Sequence, residues 1–389
     1  MRIIHTSDWH LGRRLRGVDR TPEIEFALEK LLERAKTLEV DAVLIAGDLF
    51  DSPTPPAEAE KVAYKFFSQL KAANIPAIAI AGNHDSAIRI DGLAHLLSYV
   101  GVHARGKPRK GSQGGVIKLD TASGKLCVAA LPFASERRLL KAEELWDRDQ
   151  LEQRQHYKEV IGYLMENLTN EFEENSVNIV MAHLTFNGAK RAYSEVDFYT
   201  RDTYSLSEQI IPPNAQYVAL GHIHKPQQIS NSAPTFYCGS LIQVDFGEAE
   251  EDKGFNLITV EPNRPAHVEF CSIPCQKPLK VIRTSAAELD EVLEENRTHP
   301  GFLKVIVKLE NAEMGLAERV RKICPQALIV EPQYTRTEEK EQSTDFNPGN
   351  FNPVEEFKRY YQDQKNNNPN PFVLEAFSNL YQELQDATH

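Results

Sequence analysis

Thiols are scarce in this 389-residue chain: there are five Cys, and the nearest pair is the C-x-x-x-C of Cys271 and Cys275. So few, and an odd number, exclude a disulfide-stapled scaffold and point to a reducing compartment. No apolar stretch approaches the roughly 20 residues that cross a membrane. The opening Met1-Arg2-Ile3-Ile4-His5 turns polar at once, unlike a signal peptide, so a cytoplasmic protein is expected. There is no G-x-x-x-x-G-K-[ST] loop, so any ATP dependence has to come from a second protein. Positive charge is short as well. Against 56 Asp and Glu stand 44 Lys and Arg, a net charge of -12, which argues against a broadly basic nucleic-acid surface. Repeats of solenoid period are absent.

What is present begins with alternating strand and helix signals. Residues 42–46 (Ala-Val-Leu-Ile-Ala) and 75–81 form short apolar runs of the kind buried in parallel sheets. Between them and around them lie helical stretches. One follows Thr21-Pro22, read as a cap with proline in the first turn, and shows Ile24, Leu28, Leu31, Ala35 and Leu38 at helical spacing. Others are expected at 57–73 and after Ala87, with a long polar one at 137–174. From 116 to 133 the pattern turns to a hairpin, and further strands are expected at 177–181, 217–220, 235–238, 255–260 and 268–271. A joint at 274–278 precedes a small βαβαβ module, whose first helix is read as opening on a Ser285-x-x-Glu288 capping box. The expected division is 1–273, a cap domain at 274–335, a flexible polar linker at 336–353 and a helical segment at 354–389.

Five polar clusters stand where apolar runs end: Asp8-Trp9-His10, Gly47-Asp48-Leu49-Phe50-Asp51, Gly82-Asn83-His84-Asp85, Ala182-His183 and Gly221-His222-Ile223-His224. They offer carboxylate, amide and imidazole ligands and no thiolate, the mixture suited to a pair of hard or borderline divalent metals. Two such ions held close together need a shared anion, and Asp48, heading a tight turn after a buried strand, is the candidate bridge. Asp8 with His10, and His222 with His224, are read as alternating on extended backbone, so that each pair points one way. Asn83 supplies a neutral oxygen. A lone D-x-H or a lone His carries little weight; the five together, each after a strand, specify a phosphoryl-transfer site.

This order of motifs resembles the calcineurin-like metallophosphoesterase superfamily. The opening 5–12 (His-Thr-Ser-Asp-Trp-His-Leu-Gly), with 47–51 and 219–224, is closer still to the family of nuclease subunits of bacterial SbcC–SbcD complexes, related to the Mre–Rad break-repair nucleases. The resemblance implies an α/β fold: a four-layer αββα sandwich with a small α+β cap domain and C-terminal helices. It implies that Asp8, His10, Asp48 and His224 hold one metal and Asp48, Asn83, His183 and His222 the other, with manganese the usual ion and magnesium the alternative. His84 is then the group that stabilises the phosphate and protonates the leaving oxygen, and Asp51 stands where some relatives carry a His. Asp85 either orients His84 or ties the turn, the turn being favoured. The implied activity is a manganese-dependent DNA nuclease, exonucleolytic on duplex ends and endonucleolytic on single strands and hairpins, serving repair, recombination and replication at the nucleoid.

Partners follow in the same way. A homodimer through 57–73 and 93–100 is implied, as is docking of the C-terminal helices onto the coiled coil of an SbcC-type ATPase. The docking face would include Phe357, Tyr360, Tyr361, Phe377, Leu380, Tyr381 and Leu384; the other reading is a helical hairpin folded back on the body. Two basic segments, Arg13, Arg14 and Arg16, and Arg105, Lys107, Arg109 and Lys110, are either solvated surface or DNA phosphate contacts. A phosphatase or small phosphodiesterase is the other enzymatic reading. Against it, Ser52-Pro53 follows Asp51 where protein phosphatases of the superfamily place a phosphate-gripping Arg. A catalytically idle scaffold is the third, disfavoured by the full ligand set.

Overall fold

The computed structural model describes residues 1–134, 150–190, 192, 205–211, 213–230, 232–311, 313–334, 353–365 and 368–386. The elements run β1 (Arg2–Thr6), the small hairpin β2 (Arg14–Leu15) and β3 (Val18–Asp19), α1 (Thr21–Thr37), β4 (Ala42–Ile45), α2 (Ala57–Ala72) and β5 (Ala77–Ile80). Then come α3 (Ala87–Tyr99), β6 (Val102–Arg105), β7 (Val116–Thr121), β8 (Gly124–Leu131), α4 (Gln150–Thr169) and β9 (Ser176–His183). Strands β10 (Tyr217–Gly221), β11 (Gln227–Ile229), β12 (Thr235–Tyr237), β13 (Gly254–Thr259) and β14 (His267–Ser272) follow. The part of the expected 137–174 helix that precedes residue 150 lies outside the described residues.

Two six-stranded sheets result, ordered β14-β13-β1-β4-β5-β6 and β11-β12-β10-β9-β8-β7. Strands β1, β4, β5 and β6 are mutually parallel, as are β8, β9, β10 and β12. Alternation along each strand sorts the side chains. Ile3, Leu44, Ile78 and Ile80 meet Val128, Ile179, Met181 and Ala219 between the sheets. Ile4, Val43, Ile45 and Ala77 face α1 and α2, and Leu131, Val180, Val218 and Leu220 face α4. The layers are therefore helix, sheet, sheet, helix. Burial on both faces is why these strands read as continuous apolar runs rather than alternating ones.

One polar chain crosses the interior between the sheets. His5 on β1 donates from Nε2 to the Leu220 carbonyl (3.1 Å) and accepts at Nδ1 from the Tyr217 hydroxyl (2.8 Å), which in turn accepts from Asn256 Nδ2 (3.3 Å). Burial drives the imidazole down to about 3 despite the Leu220 bond. The unfolded chain takes up a proton near 6.5 that the folded one refuses until about 3, so stability falls as the pH drops through that window. This group contributes a slope of up to about 1.4 kcal/mol per pH unit. Urea unfolding in chelator from pH 6.5 to 4 is expected to show a pH dependence flatter by that amount in His5→Gln; identical slopes would contradict it.

The cap is β15 (Leu279–Ser285), α5 (Leu289–Glu295), β16 (Phe302–Leu309), α6 (Leu316–Ile323) and β17 (Ala327–Tyr334), a wholly parallel three-stranded sheet around Leu293, Val305, Val307 and Val320. It belongs to the same compact unit, Met1–Tyr334, as the sandwich. Two helix starts differ from expectation. Thr21 begins α1 rather than capping it, and Asp19 accepts both its N–H (3.0 Å) and its hydroxyl (2.7 Å). Ser285 hydrogen-bonds the Glu288 carboxylate (3.0 Å), but α5 starts only at Leu289, so the pair closes a turn before the helix.

The second unit, Thr335–His389, contains α7 (Pro353–Lys365) and α8 (Pro371–Asp386), whose Phe357 and Phe377 rings stack 4.2 Å apart. The expected linker, apart from Pro353, lies outside the described residues, as do the side chains of Leu380, Tyr381 and Leu384. Tyr360 is exposed, and Tyr361 packs 6.0 Å from Phe357. Among the described residues no helix is long and apolar enough to cross a membrane.

Candidate dimetal centre

The loops that leave β1 and β4 continue side by side beyond the sheet. Asp8 N–H bonds Gly47 O (3.0 Å), His10 N–H bonds Asp48 O (3.1 Å) and Leu11 N–H bonds Leu49 O (3.0 Å). Trp9 anchors the first loop from below: its ring is wholly buried, meets Phe66 edge-on at 5.3 Å and donates to Thr6 Oγ1 (2.9 Å). Removing a buried aromatic of this kind costs about 3–5 kcal/mol. With Trp9 turned into the core, Asp8 and His10 turn out of it together. They do so by a route other than strand alternation. Asp8, His10 and Asp48 have φ near +50° and His222 has φ 96°, left-handed backbone that costs a non-Gly residue about 1 kcal/mol or more. The ligand loops are therefore tight turns, not extended segments.

These turns bring all seven proposed ligands together. Ligand atoms of Asp8, His10 and His224, of His10, Asp48 and His84, and of Asp48, His183 and His222 lie within 4.8 Å of one another in each group. Asn83 Oδ1 joins them at 3.0 Å from His183 Nε2 and 2.8 Å from His222 Nδ1. Glycine makes this approach possible: a Cβ on Gly82 would overlap the Asp48 carboxylate, and one on Gly47 would overlap the His183 ring. Asp85, almost wholly buried, takes N–H groups from Leu49, Phe50 and Gly82. It thus staples the Asp48 loop to the Asn83 loop. Burial, then repulsion from Asp48, raise its carboxyl to about 7.

The donor set fits divalent cations. His183 gives its Nδ1 proton to Ala46 O (2.8 Å), which turns its Nε2 toward Asp48 Oδ2 at 3.4 Å, a position that calls for a proton or a cation. His224 Nδ1 lies 3.1 Å from Glu248 and His10 Nδ1 lies 3.2 Å from Asp51. The two Nε2 atoms meet at 3.0 Å, with room for at most one proton between them. Among the described residues His222 Nε2 is buried without a hydrogen-bond partner. Such facing acceptors are unfavourable unless positive charge lies among them. The electrostatics agree. Burial, above all, keeps His10 and His222 low and therefore neutral. For His183 burial is outweighed by the charge and hydrogen bond of Asp48 together with the charge of Asp8, which lift the imidazole to about 9, so that a proton takes the place of a cation beside Asp48. Burial opposes the charge on Asp48, yet His183 pulls it well below the ordinary carboxylate range.

His84 is half-buried and held at both ends. Its N–H donates to Asp48 Oδ1 (2.8 Å), its Nδ1 to the Asp51 carbonyl (2.9 Å), and its ring lies edge-on to His10 at 4.8 Å. Asp51 also pairs with Arg13 (3.2 Å), which places that arginine beside the cluster. Arg14 and Arg16 sit exposed on the β2–β3 hairpin just beyond it. The second basic segment leaves β6 at the same edge of the sheet as the Asn83 loop. There Arg105 is taken up by Gly114 O (2.6 Å) and Ala104 O (2.9 Å), Arg109 pairs with Asp91 (3.0 Å), Lys110 lies over the Tyr163 ring and Lys107 is exposed. Sequence reasoning missed Glu248 and Lys253, which surround His224. Single charged residues among 100 of both signs carry no spacing signal.

A family model of calcineurin-like phosphoesterases matches residues 1–226, and one described as the type 5 capsule protein repressor C-terminal domain matches residues 275–365. The chain is 31% identical over 373 residues to the SbcD subunit of the SbcCD nuclease of Bacillus subtilis (strain 168), covering 94% of this chain and 93% of that protein. It is 29% identical over 309 residues to the same subunit of the Escherichia coli (strain K12) nuclease, covering 76% and 74%. The protein of the same name from Staphylococcus epidermidis is 27% identical over 301 residues, covering 76% and 75%. Motif order, sandwich and clustered ligands agree with these matches: the chain belongs to the calcineurin-like phosphoesterase family.

Proposed function

We propose that this chain is the nuclease subunit of an SbcCD-type complex, a manganese-dependent DNA phosphodiesterase acting on duplex ends, hairpins and single strands. The observation that carries the reading is the convergence of ligands from positions 8 to 224 around Asp48, beyond the carboxyl ends of two facing sheets. Relatives named as subunits of SbcCD nucleases support the substrate class. One metal falls to Asp8, His10, Asp48 and His224, the other to Asp48, Asn83, His183 and His222, with Asp48 shared. When bound, two divalent ions polarise the phosphate and supply a nucleophilic hydroxide near neutral pH. His84 stands beside the ligands with its Nδ1 on the Asp51 carbonyl, which leaves Nε2 as the nitrogen to carry a proton to the leaving oxygen. Oxygen and imidazole donors without thiolate suit manganese, with magnesium the alternative.

DNA phosphates are assigned to Arg13, Arg14, Arg16, Lys107, Arg109 and Lys110. Arg105 is left out because its guanidinium is committed to its own loop. Incubation of the full chain with hairpin DNA, a cyclic nucleotide and a phosphomonoester, each with manganese and with chelator, tests the substrate class. Metal-dependent cleavage of the hairpin is expected; turnover of the phosphomonoester alone would overturn the reading.

The chain divides into 1–273 as nuclease domain, 274–335 as cap, 336–353 as linker and 354–389 as partner-binding segment. The acidic net charge suits a subunit that shares DNA with a partner, an SbcC-type ATPase in the cytoplasm at the nucleoid. Truncation at residue 342 is expected to leave manganese-dependent cleavage of small substrates intact and to abolish co-purification with the ATPase, whereas persistent co-purification would contradict the assignment. An apolar groove of about 330 Å³ between α2 and α3, lined by Tyr64, Phe67, Leu93, Leu97 and the exposed Leu96 and Tyr99, supports a homodimer. Light scattering on the chain alone is expected to give twice the chain mass, and the single mass for Leu96→Glu; a wild-type monomer would contradict this.

A further inference from the structure

Residues 240–253 form a strap that grips His224 at two points. Glu248, fully buried, faces His224 Nδ1 (3.1 Å), Ser240 Oγ (3.2 Å) and Val244 N (3.1 Å) and pairs with Lys253 Nζ at 2.7 Å. Lys253, also buried, donates to the His224 carbonyl (2.8 Å) and to Glu251 (3.0 Å). One ion pair thus fixes both the ring and the backbone of a proposed metal ligand. Such outer partners set the tautomer and aim of a ligating imidazole.

The same strap grips the cap. Gln243 Oε1 accepts the N–H of Leu279, the first residue of β15, at 2.7 Å, and its Nε2 reaches back to Ala249 O (3.0 Å) and Glu251 O (3.2 Å). Phe246, two residues before Glu248, is buried in a cluster with Leu279 and Leu15. A shift of β15 therefore pulls on the turn that carries Glu248, and a shift of His224 pulls on the seat of β15.

We infer that Glu248 and Lys253 are positioning residues for the metal at His224, and that the strap couples seating of the cap to occupancy of that metal. This rests on the two-metal reading given above. Coupling of this kind is reciprocal: what the cap does for the ion, the ion does for the cap.

The test uses the full chain and three proteins: wild type, the charge-balanced double variant Glu248→Gln with Lys253→Met, and Gln243→Ala, which removes the bonds from Gln243 to β15 and to the strap backbone but leaves Glu248 and Lys253 in place. Removing both charges avoids leaving one buried alone. Manganese binding is followed by the electron paramagnetic resonance signal of the free ion, and hydrogen exchange by mass spectrometry on peptides spanning 276–285. Wild type should bind two ions, with manganese slowing exchange at 276–285. In the double variant one ion should weaken by about 10–100-fold, the loss typical of outer-shell partners, with the other unchanged and the protection gone. Gln243→Ala should weaken the same single ion and lose the same protection, which keeps the question decidable if the double variant does not fold. Two ions bound as tightly in the folded variants as in wild type, or exchange at 276–285 insensitive to manganese in wild type, overturns the inference alone. A wild type that binds one ion overturns the two-metal reading and this inference with it.

Discussion

Asp48→Ala is expected to strip both metals from the protein and to lower phosphodiester cleavage by about 10⁴-fold or more, roughly 5.5 kcal/mol of transition-state stabilisation. The size follows from electrostatics. Two dications about 4 Å apart repel by roughly 16 kcal/mol at an effective dielectric constant of about 20, four times the value for unit charges. A carboxylate between them is what makes double occupancy possible. Asp48 is 1% exposed, and the alternative anion Asp8 is already committed to the N–H of His222 (3.0 Å). The loss should be chemical rather than a collapse of the fold, because the loop is also held by Asp85 through Leu49 and Phe50. Elemental analysis after gel filtration checks the prediction; two ions per chain in the variant would contradict the bridge.

His84→Ala should behave differently. Cleavage of DNA is expected to fall by about 10²–10⁴-fold, the usual worth of a positioned acid or base, while both metals stay bound. The ring contributes no part of the Asp48 clasp, since that bond uses the His84 backbone N–H and survives the substitution. The discriminating measurement is leaving-group dependence. With a nitrophenyl phosphodiester, whose phenolate departs without a proton, the variant should recover most of the wild-type rate. Equal losses on DNA and on the nitrophenyl ester would show that His84 stabilises the phosphate rather than protonating the leaving oxygen.

Much of the sandwich was legible because its strands are buried on both faces and so stand out as apolar runs, each ending in a polar cluster. The clustering of the proposed ligands was legible for the same reason: Asp8, Asp48, Asn83, His183 and His222 stand at the ends of strands that burial on both faces exposes to view. The local geometry was not. Asp8 and His10 share a direction because Trp9 is pinned between Phe66 and Thr6 and the backbone turns left-handed, a balance of packing against strain that spacing alone does not reveal. The Ser285 capping box failed similarly, because the turn closed by Glu288 precedes the helix. For Arg105, surface residue and phosphate contact were equally open readings, and spacing does not show the two carbonyls that take up its guanidinium. Glu248 and Lys253 were invisible, since only the fold brings a residue 24 positions on against His224.

The most direct measurement is a crystal soaked in manganese and recorded on both sides of the manganese absorption edge. Two anomalous peaks are expected, about 3.5–4 Å apart, one among Asp8, His10 and His224, the other among Asn83, His183 and His222, with an Asp48 oxygen touching both. A single peak, or a pair with Asp48 turned away, would contradict the account.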